Sequence, residues 1–272
     1  MLSPSDEKIV SKALEIVERA NSRKIVLRII GAVGIYLHIR DVPEALNFYI
    51  NTPRLGKVSS IFTDIDLVAY SKQRKDVMRF FEKELKYSSN PRLQMIFGGK
   101  RLLYFEPQEG FKVDIFFDKL EFSHDVLFGS EPGKGRLELD YPTTTPTDLL
   151  LEKLQIHKIN FKDIVDVMAL LLSHEVKEHH EANVIDAKYI ASVLSDDWGF
   201  WYDAMENLKL VEQYAQSFFD KGVLSRDQLQ AIKIKISRIR EIVDATPKTK
   251  NWVKRAKDGT KKPWYREVEE YI

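Results

Sequence analysis

The sequence predicts an α+β fold, a mixed sheet with flanking helices over residues 1–141 followed by an all-helical C-terminal domain over 142–272. Three observations predict it. Before residue 141, apolar residues switch between helical spacing and short β-branched or aromatic runs. Pro142-Thr143-Thr144-Thr145-Pro146 then breaks the pattern, and after it only helical spacing recurs. Within the first half, the apolar run Ile61 to Ala69 keeps two carboxylates, Asp64 and Asp66, although Asp is depleted in strands.

Ser3 or Ser5 can cap a first helix, whose stripe is Ile9, Val10, Ala13, Leu14, Ile16, Val17 and Ala20. Asn21-Ser22 ends it, and Lys24 to Ile30 reads as a buried strand. Gly31-Ala32-Val33-Gly34 is a turn before a short helix at Ile35 to Ile39. Arg40 to Ser60, with two prolines, reads as a loop with a helical turn or more around Ala45 to Ile50. Ile61 to Ala69 is the acidic strand, and Lys72 to Leu85 is an amphipathic helix. Leu93 to Phe97, Leu102 to Phe105 and Phe111 to Phe117 read as strands, with turns at 98–100 and 107–110. Arg136 to Leu139 reads as a further short strand.

In the second half, Thr147 can cap a helix running through Ile156, and Asn160 another from Phe161 through Leu172. Asp186 to Leu194 and Asp197 to about Phe219 follow. Ser225-Arg226-Asp227-Gln228 is a capping box opening a long helix to about Ala245, which Pro247 ends.

Composition narrows the chemistry. The 272 residues are 44% hydrophobic, enough for a sizeable core. A formal net charge of +1 gives no global basic field, so a nucleic-acid partner needs a local patch. With no cysteine, disulfide frameworks, thiolate metal sites and cysteine nucleophiles are excluded. Met1 to Ala20 lacks an apolar signal core, and runs such as Val167 to Leu172 are too short to span a bilayer. The expectation is a cytoplasmic protein with no membrane partner.

The acidic strand carries the chemistry. Residues i and i+2 of a strand share a face with Cα atoms about 6.5–7 Å apart, so Asp64 and Asp66 converge while Ile65 and Leu67 turn to the core. Such carboxylates can hold one or two hard divalent cations. Asp114, in Val113-Asp114-Ile115-Phe116, is a third acid in an apolar run. The plain alternative for the pair is strand-end acids exposed to solvent or capping the next helix. Its position inside Ile-Phe-Thr-Asp-Ile-Asp-Leu-Val favours the functional reading.

The order helix, strand, Gly turn, helix, Asp-x-Asp strand, helix and hairpin with a third Asp resembles the polymerase-beta-like nucleotidyltransferase superfamily. Asp148-Leu149-Leu150-Leu151-Glu152-Lys153-Leu154 and Phe161-Lys162-Asp163-Ile164-Val165-Asp166 are similar to the helical motifs of its AbiEii branch, which includes toxins of type IV toxin–antitoxin pairs. The resemblance covers roughly residues 24 to 172. It implies Asp64, Asp66 and Asp114 as ligands for Mg²⁺ (or Mn²⁺), with Lys153 and Asp163 as further catalytic residues and Asp166 beside them. It places a nucleoside triphosphate donor at Gly31, Ala32, Thr63 and Lys153. The acceptor is a hydroxyl of RNA such as tRNA, of a protein or of a small molecule, and an antitoxin protein is an implied partner. Ala32 and Val33 stand where that family has a Gly or Ser and then a small residue. This departure motivates the alternative, a catalytically inactive module of the same fold that binds nucleotide or a protein.

Other features read as structure first. Asp118 is a turn residue beside Asp114. His174, His179 and His180 lack a partner set at zinc spacing, and Trp198, Trp201 and Tyr202 read as helix core. From Lys248 to Tyr265, seven basic residues interleave with Trp252, Trp264 and Tyr265. This tail reads mainly as solvated charge, with RNA binding as the second reading.

Overall fold

The computed structural model describes residues 2–52, 60–90, 92 and 99–267. The expected strand Leu93 to Phe97 lies outside them. The chain is mixed α and β, and it divides into two compact units. The first comprises Met1–Leu37, Leu55–Leu120 and Leu127–Thr144, and the second His38–Arg54, Glu121–Val126 and Thr145–Ile272. Among the described residues no helix is long and apolar enough to cross a membrane.

The first unit is built on a four-stranded sheet of order β1 (Leu27–Ile29), β2 (Asp64–Ala69), β4 (Lys112–Phe117) and β3 (Arg101–Phe105). β2 runs parallel to β4, while β1 and β3 flank them antiparallel. Helix α1 (Pro4–Ser22) starts where Ser3 accepts the Asp6 amide and Pro4 presets the first turn. Its stripe from Ile9 to Ala20 packs with Ile65, Leu67, Val113 and Ile115 in one apolar cluster. Ile65 and Leu67 are fully buried. Each such side chain contributes roughly 1.5–3 kcal/mol. Because strand side chains alternate, burying these residues commits Asp64, Asp66 and Asp114 to the opposite face.

Several expected elements are shorter than their apolar runs, because side chains take backbone groups that a ladder would need. Lys24 to Ile30 is strand only over Leu27–Ile29, since Gln73 binds the Val26 amide (2.9 Å) and the Lys24 carbonyl (2.7 Å). The acidic strand begins at Asp64 rather than Ile61. Asp6, 1% exposed, takes the Ile61 and Phe62 amides on Oδ1 at 2.9 and 3.0 Å and the Ser60 hydroxyl at 2.7 Å. Burial pushes the Asp6 pKa up, but these hydrogen bonds outweigh it and hold it below the ordinary value.

Arg136 to Leu139 is not a strand. Leu137–Leu139 is a 3₁₀ turn, because the Leu137 amide donates to the Tyr70 hydroxyl (2.9 Å) and the Leu139 amide to the Arg136 carbonyl. The expected helix at Lys72 to Leu85 is a composite of a 3₁₀ turn, an α segment Arg74–Arg79 and a π turn Phe80–Glu84. The wide turn buries both Phe80 and Phe81, and Phe81 stacks on Tyr104. Helix α2 starts at Gly31 itself and runs to Ile39, and the expected loop after it contains a full helix, Pro43–Asn51.

The second unit is mainly helical, with helices Pro146–Leu154, Phe161–Ser173, Ala187–Leu194, Trp198–Asp220, Arg226–Ala245 and Lys250–Ala256. It is not all-helical, because Glu175–Lys177 and Val184–Asp186 form a short parallel pair. The first of these helices is capped by Thr145 rather than Thr147, since Pro146 occupies its first position. Thr147 instead donates to the Val184 carbonyl and accepts the Asp186 amide (2.8 Å). Asn160 and Ser225 cap as the sequence predicts, with the Ser225–Gln228 box complete, and Asp186 and Asp197, expected as first helical residues, are the N-caps of theirs.

His174 is buried, with Nδ1 bonded to the Asn183 carbonyl (2.8 Å), Nε2 unbonded, and its ring 5.3 Å from that of His38. Burial, reinforced by His38, pushes its pKa down to about 4. The unfolded chain takes up this proton near pH 6.5, whereas the fold resists it to about pH 4. Folding stability therefore falls by up to roughly 3 kcal/mol as pH drops through that window. Urea unfolding at pH 7.5 and pH 5 should show a smaller pH loss for His174→Gln than for wild type; equal losses would remove His174 as the cause.

Candidate metal and nucleotide site

The sheet register assembles the site. Parallel pairing sets Asp66 opposite Asp114 and Asp64 opposite Lys112. One carboxylate oxygen from each of Asp64, Asp66 and Asp114 lies within 4.8 Å of the other two. Asp114 is 2% exposed and its Oδ1 accepts no hydrogen bond among the described residues, whereas Asp64 and Asp66 are half-buried. Three oxygens at this spacing, from a rigid sheet, are a suitable donor set for a hard cation.

Like charges this close need compensation. Lys112 Nζ lies 3.0 Å from Asp114 Oδ2 and 3.4 Å from Asp64 Oδ2, and Arg101 Nη1 is 3.8 Å from Asp114 Oδ2. Burial raises the Asp114 pKa above the ordinary carboxylate value, and Lys112 and Arg101 only partly offset it. For Lys112, burial alone lowers the pKa, but Asp114 and then Asp64 and Asp66 outweigh it, so the net shift is upward.

Gly31 closes the site from the β1–α2 turn. The Ile30 amide donates to the Asp66 carbonyl (3.0 Å), which lays the turn against β2. Gly31 has φ +62, and a Cβ there would stand 2.7 Å from Asp66 Oδ2. Glycine is therefore required both for the left-handed backbone and for the close approach. Ala32 follows on the first turn of α2, where helix amides can meet an anion. Val33 is 2% exposed and belongs to the core. The Thr63 hydroxyl donates to Asp64 Oδ1 (3.0 Å) and orients that carboxylate. Asp118 lies beyond the strand at φ +65, where its Oδ1 accepts the Ser71 amide, so it is a turn residue.

Lys153, Asp163 and Asp166 belong to the second unit and form their own cluster. Lys153 Nζ sits 2.8 Å from Asp163 and 3.0 Å from Asp166. All three are largely buried, with side-chain exposures of 12, 8 and 0%. The lysine is thus not a solvated helix residue, and its charge is balanced within its own unit.

The basic tail is packed rather than free. Trp252 lies edge-on to Trp201, and Arg255 covers the Trp198 ring. Trp264 donates to Asp203 (3.0 Å), and Tyr265 stacks on His157 with ring centres 3.5 Å apart. Asp203 also binds His124 and His157, and these bonds outweigh burial to keep its pKa low. The tail's aromatic faces are therefore engaged in packing, while Lys250, Lys254, Lys257, Lys261 and Lys262 remain exposed.

Sequence reasoning missed Lys112, Arg101 and Asp6. Lys112 was findable, since it shares a strand face with Asp114 two residues on. Comparison of the chain with protein-family models, curated proteins and solved structures finds no match in any of the three.

Two substitutions test these assignments. Gly31→Ala should weaken binding of Mn²⁺, measured by calorimetry, while the circular dichroism spectrum is retained; undiminished affinity would remove the close-approach argument. Lys153→Met strands two buried carboxylates and should destabilise the protein by about 3–5 kcal/mol in urea unfolding. A loss below about 1 kcal/mol would mean that the ion pairs are not structural.

Proposed function

We propose that this chain is a divalent-metal-dependent nucleotidyltransferase. It moves a nucleotidyl group from a nucleoside triphosphate to a hydroxyl of RNA, protein or a small molecule. The observation that carries the reading is the convergence of Asp64, Asp66 and Asp114 within 4.8 Å, with Gly31 pressed against Asp66. In this reading the three carboxylates hold Mg²⁺ or Mn²⁺, which when bound neutralises charge on the triphosphate.

The residues of the chain then have distinct tasks. Thr63 and the Gly31 turn fix the orientation of Asp64 and Asp66. The start of α2 after Gly31 turns the positive end of its dipole toward the donor's phosphates. Asp114, with one oxygen unbonded among the described residues, completes the metal set or accepts the acceptor's proton. Lys153 and Asp163 carry, within this proposal, the catalytic roles that the AbiEii resemblance implies, as the ion-paired cluster of the second unit. Within the resemblance, a toxin-like member acting on tRNA in the cytoplasm, with an antitoxin partner, is one version of this reading, and an antibiotic-modifying relative is another.

A second reading has one observation behind it. Val33 is committed to the core, and neither Ala32 nor Val33 offers a hydroxyl to a phosphate. A module that binds nucleotide without transferring it fits that feature.

One experiment separates the two. The purified protein is incubated with each α-labelled triphosphate, Mg²⁺ and total cell RNA or protein. Transfer predicts label in one acceptor class and its loss in Asp64→Ala and Asp66→Ala, both with wild-type circular dichroism. Full labelling by either variant contradicts the assignment. Calorimetric nucleotide binding with no pyrophosphate release across acceptors supports the binding module instead.

A further inference from the structure

We propose that Lys112 is a built-in counter-cation of the acidic site. It competes with a free divalent ion and passes to the triphosphate when metal and nucleotide arrive together. The inference rests on the metal-binding reading of Asp64, Asp66 and Asp114 given above.

The geometry is specific. Lys112 sits on β4 opposite Asp64 and two residues before Asp114, so register and alternation both aim it at the acidic face. Its ammonium contacts two of the three carboxylates, at 3.0 and 3.4 Å, through one Oδ2 on each. A hard cation takes carboxylate oxygens at about 2.1 Å, so whether it shares these oxygens or takes the second oxygen of each carboxylate, it comes close to an ammonium already in contact. Two cations on one pair of ligands repel strongly in a partly buried site.

Charge counting points the same way. Among the described residues, the three carboxylates with Lys112 and Arg101 against them sum to a net charge of only −1 for an incoming free ion (3 negative, 2 positive). A metal–triphosphate complex also brings phosphate oxygens, which can receive the displaced ammonium. Lysine suits the handover, because its charge rides on a flexible four-carbon stem. Arg101 is less suited, since it contacts Asp114 at 3.8 Å and its guanidinium lies 5.7 Å from the Phe116 ring centre. The consequence is selectivity for order, with metal bound weakly alone and tightly with nucleotide.

The test is a Mn²⁺ titration followed by electron paramagnetic resonance, with and without a non-hydrolysable triphosphate. Wild type, Lys112→Met, Lys112→Gln and Lys112→Arg are compared, each checked by circular dichroism. Removing the charge should tighten binding of Mn²⁺ alone by about tenfold, the scale of one screened charge contact. It should also weaken binding of Mn²⁺ with nucleotide, while Lys112→Arg stays near wild type for the free ion. The two neutral variants back each other should one fail to fold. If wild type binds Mn²⁺ and a folded neutral variant binds it no tighter, the counter-cation role is overturned and the metal site stands. If no protein binds Mn²⁺ under either condition, the metal reading itself falls, and this inference with it.

Discussion

Parallel pairing of β2 with β4 is the constraint on which the site depends. The six-residue register from Asp64–Lys112 to Ala69–Phe117 fixes two things at once. On one face it aligns Ile65 and Leu67 with Val113 and Ile115, which pack beneath α1. On the other it aligns Asp66 with Asp114. A slip of one residue would send the acids into the apolar cluster and the aliphatic residues to the opposite face. The hydrophobic core therefore specifies the acidic site, and the repulsion among its carboxylates is borne by packing on the reverse side.

The repulsion is also managed locally. Lys112 and Arg101 reach the acids from β4 and the neighbouring β3, so the compensating charges come from the same sheet as the acids. Asp114 still has a raised pKa, which indicates that burial is not fully answered by those cations. An acidic group kept in a costly environment, with one oxygen unbonded among the described residues, is a candidate functional group. Asp6 shows the contrast. It is as buried as Asp114, yet its hydrogen bonds to Ser3, Ser60 and two backbone amides lower its pKa. It anchors the start of the acidic strand and has a structural task.

What the sequence revealed, and what it hid, follows from the range of the interactions. Asp64 and Asp66 were readable because a two-residue period is local. The helix caps at Ser3, Asn160 and Ser225 were readable for the same reason. Element ends were not, because distant side chains set them: Gln73 at Lys24 and Val26, Asp6 at Ile61, Tyr70 at Leu137. The pattern Leu-Glu-Leu at 137–139 suggested a strand, but its first amide was claimed by a residue 67 positions earlier. Nothing local in the sequence shows that Asp163 and Asp166 enclose Lys153. The tail's aromatics read as free because their partners, Trp198, Trp201, Asp203 and His157, lie far back in the chain.

The account stands on one arrangement, three carboxylates from two parallel strands acting as a single cation site. Anomalous diffraction from crystals grown with Mn²⁺ and a non-hydrolysable nucleoside triphosphate measures it directly. The account predicts a manganese peak at about 2.0–2.2 Å from oxygens of Asp64, Asp66 and Asp114, with the triphosphate on the same ion. Manganese bound elsewhere, with these three acids unliganded and Lys112 still resting on them beside the triphosphate, would contradict it.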